Sequence, residues 1–443
     1  METLITVGQF MLSLSILIIL HECGHFFPAR WFNTRVEKFY LFFDPWFSLF
    51  KVKKNDTEYG IGWLPFGGYV KISGMIDESF DKEQMSGPPQ PWEFRSKPAW
   101  QRLIIMVGGV TVNFILGILI FAGMFYTWGE EYIANKDATY GIGVEELGRE
   151  LGLQDGDKIY KVGDKLIDRF GSSIVSKEIV IEEASTLEVE RNGEMVVLDI
   201  PETFVQKLTS FENKDLELFT LRFPLVVDVV PEGSNGEEMG LQKGDRFLTI
   251  GDRPALFSNE FASVARDFKG QEVDLAILRG ADTLQMTSSF DENGRLGFIM
   301  EIGSSYFEVS RASYGFFPAI GKGAQKSYDF IRDQVKAFGQ IFRGKIKAKD
   351  SLGSFITIGS MFGNTWDWYR FWNLTAMLSV LLGFINLLPI PALDGGHVMF
   401  LLWEVITGRK PSDKVLEYAT MAGFVLLVAL MIYALGLDIS RLF

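Results

Sequence analysis

Four long apolar segments constrain the fold of this chain more than any other feature. They comprise residues 4–27, 103–128, 371–389 and 418–437 of 443. Each is close to the length, about 20 residues, that a helix needs to cross the apolar part of a bilayer. The pattern predicts a multi-pass α-helical membrane protein with four spans and both termini on the same side.

The first segment does not have the pattern of a cleaved signal peptide. Such a peptide usually begins with Lys or Arg and ends in a small-residue cleavage site. Here Glu2 is the only charged residue ahead of the apolar run, and His21 and Glu22 lie near its end. We expect this segment to be retained as the first span.

Charge and cysteine content exclude several kinds of site. The formal net charge is −13 and the sequence has no long run of Lys or Arg. Phosphate binding requires concentrated positive charge, so no nucleic-acid partner is expected. Cys23 is the only cysteine, which excludes an internal disulfide or a thiolate zinc cluster. Any metal site must therefore use histidine and carboxylate ligands.

The short loops indicate the orientation in the membrane. Basic residues are frequent in residues 30–102, between the first two predicted spans, and Arg409, Lys410 and Lys414 lie between the last two. Loops rich in Lys and Arg remain in the cytoplasm. We therefore expect both termini and the long insert between the second and third spans to lie on the other side. In a bacterial inner membrane, that side is the periplasm.

The long insert contains an internal repeat. Residues 152–164 recur 88 positions later as residues 240–252, with the same Gly-Leu-Gln-x-Gly-Asp start and Gly-Asp end. A period of this length indicates two tandem domains rather than a solenoid. The copies resemble PDZ domains in the permuted form found in bacterial proteases, which implies two α+β PDZ-like domains. The alternative is a pair of small β domains that only space the membrane segments.

His21, Glu22 and His25 form the clearest candidate site. Two histidines four residues apart lie on one helix face and can bind a single Zn²⁺, while Glu22 reaches a metal-bound water. Ionisable residues inside an apolar span are costly and usually functional. With a rise of about 1.5 Å per residue, the site would lie inside the bilayer near its cytoplasmic side. The alternative is a histidine pair that reaches from a helix end to the interface.

A catalytic zinc usually has a third protein ligand and an open fourth position. Asp394 and His397, one helical turn apart, are both candidates for that ligand. Pro389 and Pro391 precede them and interrupt helical hydrogen bonding, which is tolerated at membrane depth where protein or water surrounds the backbone. Spacing alone does not decide between the two ligands, and Asp394 has an alternative role as the cap of the following helix.

These two motifs resemble those of the site-2 protease family of intramembrane zinc metalloproteases. The resemblance rests on His-Glu-Cys-Gly-His at residues 21–25 and on Asn-Leu-Leu-Pro-Ile-Pro-Ala-Leu-Asp-Gly-Gly at residues 386–396. It extends over nearly the whole chain and is strongest to the bacterial regulator-of-sigma-E proteases with tandem PDZ domains.

The resemblance implies a role for each residue of the two motifs. It implies that His21, His25 and Asp394 bind one Zn²⁺ per chain, which favours Asp394 over His397. Glu22 would then be the general base. Asn386 would hold the substrate backbone or polarise its carbonyl.

Two further segments fit the resemblance. Residues 60–71 are similar to the membrane re-entrant β-loop of the family, with Gly67 and Gly68 at the substrate site, and its edge could pair with an extended substrate. The alternative is an interfacial hairpin that only covers the site. Residues 108–113 are similar to the Gly-Pro-x-x-Asn segment of the family, but the proline is missing. Asn113 therefore either lines the substrate site or forms a hydrogen bond between helices.

The sequence predicts five regions. Residues 1–129 hold the first two spans, the zinc motif and the β-loop, and residues 371–443 hold the last two spans and the second motif. Between them lie PDZ-like domains at 130–222 and 223–307. Residues 308–370 contain amphipathic helices that we expect on the outer membrane surface.

The resemblance implies an endopeptidase for single-pass membrane segments within the lipid bilayer, such as a trimmed anti-sigma factor or a remnant signal peptide. The PDZ-like pair would exclude substrates with a bulky outer domain or bind peptide ends. Two other classes are a non-catalytic PDZ membrane scaffold and a zinc transporter. The complete set of zinc ligands disfavours the scaffold, and Glu22 together with the long insert disfavours the transporter.

Overall fold

The computed structural model describes residues 2–65, 67–75, 87–292, 294–301 and 306–441, apart from the side chains of Ala262, Arg266 and Asp413. These residues fold into two units. The first contains Met1–Gly129, Ser313–Val335 and Leu352–Phe443, and the second contains Glu130–Ala312 and Lys336–Ser351. Both predicted PDZ-like regions, 130–222 and 223–307, fall within the second unit, and the boundary between them remains a prediction.

The helices of the described residues are numbered in chain order. They are α1 Glu2–Trp31, α2 Ala99–Thr127, α3 Glu146–Glu150, α4 Ser172–Val180, α5 Glu202–Leu208, α6 Asn235–Glu238, α7 Ser258–Asp267, α8 Phe316–Phe342, α9 Ala348–Ser351, α10 Phe355–Ser360, α11 Trp368–Leu387, α12 Asp394–Thr407 and α13 Asp413–Ser440.

The strands are numbered in the same way. They are β1 Val36–Leu41, β2 Phe50–Lys54, β3 Thr57–Ile61, β4 Tyr69–Ile72, β5 Glu130–Ile133, β6 Ile142–Val144, β7 Lys158–Val162, β8 Lys165–Leu166, β9 Thr186–Arg191, β10 Glu194–Asp199, β11 Phe219–Leu221, β12 Val227–Val229, β13 Arg246–Ile250, β14 Arg253–Pro254, β15 Glu272–Arg279, β16 Asp282–Ser289, β17 Ile299–Met300 and β18 Val309–Ala312.

Four helices are long and apolar enough to cross a membrane. Within the described part of the chain they are α1, α2, α11 and residues Lys414–Ser440 of α13. They coincide with the four predicted spans and fit a multi-pass membrane protein. Most of their ends lie a few residues outside the apolar runs, and capping side chains set the starts of α11 and α13. The Asp367 side chain, for example, accepts hydrogen bonds from the N–H groups of Tyr369 and Arg370 and begins α11.

Glycines allow α2 to approach the other helices of the first unit, where it packs against α1, α11 and α12. A Cβ on Gly24 or on Gly108 would overlap the carbonyl of the other residue, so the α1 and α2 backbones are in contact there. A Cβ on Gly117 would overlap Val380 of α11. Small residues thus allow close packing of α2 against its neighbours, as is common between membrane helices.

The chain is not helical between α11 and α12, as the two prolines predict. α11 ends at Leu387, and Ala392 in the connection has a φ of 86°, which non-glycine residues rarely adopt. A Cβ on Gly395 or Gly396 would overlap backbone atoms of the connection. The turn therefore requires glycine at both positions, and it places Asp394 at the first residue of α12.

Strands β1 to β4 form a sheet with the order β2-β3-β1-β4. β1 is parallel to β3 and antiparallel to β4. Residues 60–71 therefore do not form a hairpin of adjacent strands but join β3 to β4 across β1; Phe66 lies outside the described residues. Within the described chain, β4 pairs with β1 alone, which makes it an edge strand. Entry of this segment into the membrane remains a prediction.

The two sequence repeats in the second unit form sheets of the same order, β10-β9-β7-β8 and β16-β15-β13-β14. An ion pair recurs at the same spacing. Asp157 binds Arg191, and Asp245 binds Arg279 88 residues later, each at 2.7 Å and with a buried carboxylate. The sequence repeat thus corresponds to a structural repeat, and its assignment to the PDZ class remains a prediction.

The segment predicted to be amphipathic is largely helical and contains α8, α9 and α10. Asp438, near the end of α13, fixes the start of α10. Its carboxylate accepts hydrogen bonds from the N–H and Oγ of Ser354 and from Oγ1 of Thr357. The last apolar helix is therefore tied to α10, whereas the position of this segment on a membrane surface remains a prediction.

Candidate metal centre

The two histidines of α1 face each other across one helical turn, as their spacing predicts. The Nε2 atoms of His21 and His25 are 3.3 Å apart, and both residues are buried. Such a short distance between two nitrogen lone pairs is unfavourable unless a proton or a cation lies between them. The geometry therefore suits a shared metal ion.

Asp394 completes a triangle of candidate ligand atoms. Its Oδ2 is 3.4 Å from Nε2 of His21 and 3.3 Å from Nε2 of His25. Zinc bonds of 2.0–2.1 Å in tetrahedral geometry separate neighbouring ligand atoms by about 3.3 to 3.4 Å. The three sides of the triangle match this separation and leave the fourth corner of the tetrahedron for a water or a substrate atom.

The donor atoms also fit a cation. Oδ2 of Asp394 is buried and has no hydrogen-bond partner within the described part of the chain. A buried carboxylate oxygen without a donor is costly, and a metal ion removes that cost. Two imidazoles and one carboxylate are a usual ligand set for a catalytic zinc. Two residues were candidates for the third ligand. Asp394 has a ligand atom within 4.8 Å of those of both histidines, whereas His397 is not part of this cluster.

The second span supports both histidines. Nδ1 of His25 is 2.9 Å from the backbone oxygen of Ile105, and Nδ1 of His21 is 3.0 Å from the side-chain amide of Asn113. Gly109 lies between these positions, and a Cβ there would overlap both imidazole rings. Each Nδ1 is thus engaged by α2, while each Nε2 faces Asp394.

Glu22 is buried next to the three candidate ligands. It lies close enough to His21, His25 and Asp394 for direct electrostatic interaction, and its carboxylate accepts a hydrogen bond from the backbone N–H of Val70. Val70 belongs to β4, so the edge strand of the sheet reaches the site. This arrangement holds a carboxylate beside the triangle without placing it in the triangle.

The residues predicted to bind substrate also lie near the histidines. Nδ2 of Asn386 is 3.5 Å from Nε2 of His21. A Cβ on Gly68 would overlap Ile18 and would contact Glu22, so the chain entering β4 lies against α1. Gly67 has a φ of 146°, outside the range that side-chain-bearing residues favour. The structure therefore brings Asn386 and Gly68 to the site, with Gly67 next to Gly68 in the chain, while the roles of all three remain predictions.

A hydrogen bond and a ring stack hold the first residue of the strand next to the site. The hydroxyl of Tyr69 donates a hydrogen bond to Asp44 at 2.8 Å, and its ring stacks on Tyr40. Burial, together with this hydrogen bond, raises the pKa of Tyr69 well above its usual value, so the phenol remains a donor. The first residue of β4 is thereby fixed within the sheet.

The sequence did not indicate several groups that support the site. The carbonyl of Ile105 and the N–H of Val70 are backbone groups that almost any residue would provide, so no sequence pattern identifies them. Arg102, in the first turn of α2, forms a buried ion pair with Glu404 of α12. A charged residue in each of two apolar helices was the available signal for this pair.

Comparisons with known proteins identify the family of this chain. The model of peptidase family M50 matches residues 9–430. The regulator of sigma-E protease RseP of Escherichia coli K12 is 30% identical over 465 residues, which cover 98% of each chain. Protease RseP of Yersinia pestis is 28% identical over the full length of both chains. A Rickettsia conorii protein that carries the provisional name zinc metalloprotease is 28% identical over 99% of this chain and all of its own.

The family match extends over almost the entire chain, and the relatives align with it from end to end. The resemblance inferred from the two motifs is therefore confirmed, and zinc is the cofactor of this family. The chain belongs to peptidase family M50, the site-2 proteases, and is an intramembrane zinc metalloprotease.

Proposed function

We propose that His21, His25 and Asp394 hold one zinc ion per chain and that the protein cleaves single-pass membrane segments. The triangle of Nε2, Nε2 and Oδ2 atoms, with sides of 3.3 to 3.4 Å, carries this proposal. Its sides match those of a tetrahedral zinc site with one open corner. Zinc bound there supplies a Lewis acid that activates water and polarises a peptide carbonyl.

Glu22 acts as the general base in this proposal. Its carboxylate accepts the proton of the attacking water and later donates it to the nitrogen of the leaving amine. The N–H of Val70 donates a hydrogen bond to this carboxylate and orients it. Replacing the carboxylate by an amide removes the proton acceptor and leaves the shape of the site intact.

The edge of β4 and the Asn386 amide position the substrate. A protease cleaves extended chain, and an edge strand binds extended chain through backbone hydrogen bonds. β4 is the last strand in the order β2-β3-β1-β4 and reaches Glu22 through Val70. The amide of Asn386, close to His21, donates to the scissile carbonyl.

The substrate class follows from the position of the site in apolar helices. His21 and His25 lie inside a helix that is long and apolar enough to cross a membrane, so a membrane segment reaches them laterally. Several relatives carry names that refer to regulation of sigma-E, which supports a trimmed anti-sigma factor as substrate, with remnant signal peptides as another member of the class. The PDZ-like repeats then exclude segments that keep a bulky outer domain.

The metal ligands can be tested by zinc analysis of purified protein. We expect one zinc per chain in the wild type and a loss of most zinc in His25→Ala and Asp394→Ala, because each removes one of three ligands. His397→Ala is the matched control, since it removes a histidine three residues from Asp394 that is not part of the triangle. Normal zinc content in Asp394→Ala, or its loss in His397→Ala, would overturn the ligand set.

The substrate class can be tested with tagged single-pass proteins in detergent or in cells. We expect cleavage within the membrane segment of a trimmed substrate and little cleavage of the same segment with a folded outer domain attached. A zinc-loaded protein that cleaves none of several trimmed single-pass substrates would overturn the proposed substrate class.

A further inference from the structure

The second span presents three consecutive positions of one face to the metal centre. Ile105, Gly109 and Asn113 are four residues apart along α2, and side chains at this spacing share a helix face. Ile105 meets His25, Asn113 meets His21, and Gly109 lies against both rings. One face of α2 therefore contacts both proposed ligands, through Nδ1 of each ring and at Gly109.

The contact at His25 defines the proton position of that ring. Nδ1 of His25 is 2.9 Å from the backbone oxygen of Ile105. A carbonyl oxygen only accepts, so Nδ1 carries the proton and donates it. In a neutral imidazole the other nitrogen, Nε2, then has a free lone pair. That lone pair faces Asp394, as a zinc ligand requires.

The same requirement at His21 conflicts with the amide orientation at Asn113. For Nε2 of His21 to bind zinc, its Nδ1 must carry the proton and needs an acceptor. The atom of Asn113 placed 3.0 Å away is the amide nitrogen, a donor. The oxygen of the same amide is buried and has no hydrogen-bond partner among the described residues. In this orientation the amide nitrogen of Asn113 and the protonated Nδ1 of His21 are both donors, while the amide oxygen accepts no hydrogen bond from the described residues.

A half-turn of the amide removes this conflict. The oxygen and nitrogen of an asparagine amide have nearly the same shape, and their assignment follows from the surrounding hydrogen bonds. Rotation brings Oδ1 of Asn113 to Nδ1–H of His21. The backbone of Asn113 need not move, because Ser379 of α11 donates a hydrogen bond to its carbonyl at 2.7 Å.

We propose that Asn113 is a positioning residue whose Oδ1 accepts a hydrogen bond from Nδ1–H of His21 and fixes the tautomer that binds zinc through Nε2. Asn113 then does for His21 what the carbonyl of Ile105 does for His25. Asn113 is fully buried, which favours this role over a contact with the substrate. The inference rests on the proposed zinc site and adds the hydrogen bond that fixes the orientation of the His21 ring.

The test is a competition between the protein and a zinc chelator, with Zn²⁺ as the only ligand. Full-length protein in detergent is compared as wild type, Asn113→Leu, Asn113→Asp and Ser379→Ala. Leucine has a similar size without an acceptor, and aspartate has acceptors only. Loss of an outer partner of a zinc-bound histidine typically lowers metal affinity about 10- to 100-fold. We expect that loss in Asn113→Leu and at least wild-type affinity in Asn113→Asp.

Ser379→Ala is the control for a purely structural role. It removes a hydrogen bond between α11 and α2 without touching His21, so its zinc affinity should equal that of the wild type. Unchanged affinity in Asn113→Leu would overturn the proposal. So would a loss in Asn113→Asp as large as that in Asn113→Leu, because the amide would then act as a donor.

Two further results separate failure of this inference from other failures. If Asn113→Leu does not fold, Asn113→Asp decides alone, since tight binding supports the acceptor role and weak binding contradicts it. If the wild type binds no zinc, or if His21→Ala binds it as tightly as the wild type, the proposed zinc site is wrong. In that case Asn113 has no zinc ligand to position.

Discussion

Gly109 is the residue at which the second span touches both proposed histidine ligands. A Cβ at this position would overlap atoms of the His21 and His25 rings. The rings cannot withdraw easily, because Ile105 and Asn113 hold their Nδ1 atoms. A glycine is therefore required here for close approach.

We expect Gly109→Ala to weaken zinc binding at least about 10-fold, by analogy with the loss of other groups around zinc-bound histidines. Cleavage should fall in parallel. Gly123→Ala is the matched control on the same helix, because its Cβ would meet nothing within 4 Å. Chelator competition on both variants measures the effect. Equal zinc affinity in the two would show that the rings tolerate the methyl group.

The sequence predicted the chemically distinctive residues of the site but not their supports. His21, Glu22 and His25 follow from their spacing, and the family resemblance favoured Asp394 over His397. The structure brings His21, His25 and Asp394 together. The acceptor at His25 and the donor at Glu22 are main-chain groups of Ile105 and Val70, whose side chains carry no signal. The sequence also predicted Asn113 as a candidate, but its hydrogen-bond partner, His21, depends on how α1 and α2 pack.

At the scale of helices, an ion pair fixes the element that carries Asp394. Arg102 of α2 and Glu404 of α12 form a salt bridge, and both side chains are largely buried. Arg102 also donates a hydrogen bond to the backbone oxygen of Lys97. Removing one partner of a buried pair leaves an uncompensated charge, whereas replacing both by apolar groups is often nearly neutral.

We expect Arg102→Met to destabilise the protein by about 3 kcal/mol or more, as for other broken buried pairs. The double variant Arg102→Met with Glu404→Leu should recover most of that loss. Unfolding of the purified variants in detergent measures both. A double variant no more stable than Arg102→Met would mean that the charge pair itself, rather than the unpaired charge, determines stability.

Helices were easier to predict than the order of strands. A span is visible as a continuous apolar run, and the proline-containing break before α12 follows from two residues. The position of β1 between β3 and β4 does not follow from the sequence, because alternation within one strand says nothing about its neighbours. The segment 60–71 was therefore not expected to cross another strand.

For the whole molecule, the orientation in the membrane is the least constrained prediction. It rests on basic residues in the loops, which remain on the cytoplasmic side. The repeat-containing unit and the loop after α12 should lie on opposite sides. Glu194 of β10 and Arg409 after α12 are exposed positions in these two regions.

Single cysteines at these positions test the orientation. Cys23 is the only native cysteine, so Cys23→Ser provides the background. We expect an impermeant maleimide to label Glu194→Cys in intact spheroplasts, and to label Arg409→Cys only after lysis. The reverse pattern would invert the membrane topology and place the repeats in the cytoplasm.

The repeat was predicted from the sequence and appears as two sheets of the same strand order, with the same Asp–Arg pair in each copy. What these repeats bind or exclude does not follow from their fold, because function depends on the site rather than on the architecture. The same limit applies to the substrate, whose class we infer from the location of the metal centre.

The most direct test compares Glu22→Gln with the wild type, with zinc content and cleavage of a trimmed single-pass substrate measured on the same preparations. Glu22 is beside the three candidate ligands and is not one of them. General acid–base catalysis typically contributes about 10²- to 10⁴-fold to rate. We predict one zinc per chain in both proteins and a loss of cleavage of that size in Glu22→Gln. Undiminished cleavage by the zinc-loaded variant would contradict the proposed mechanism.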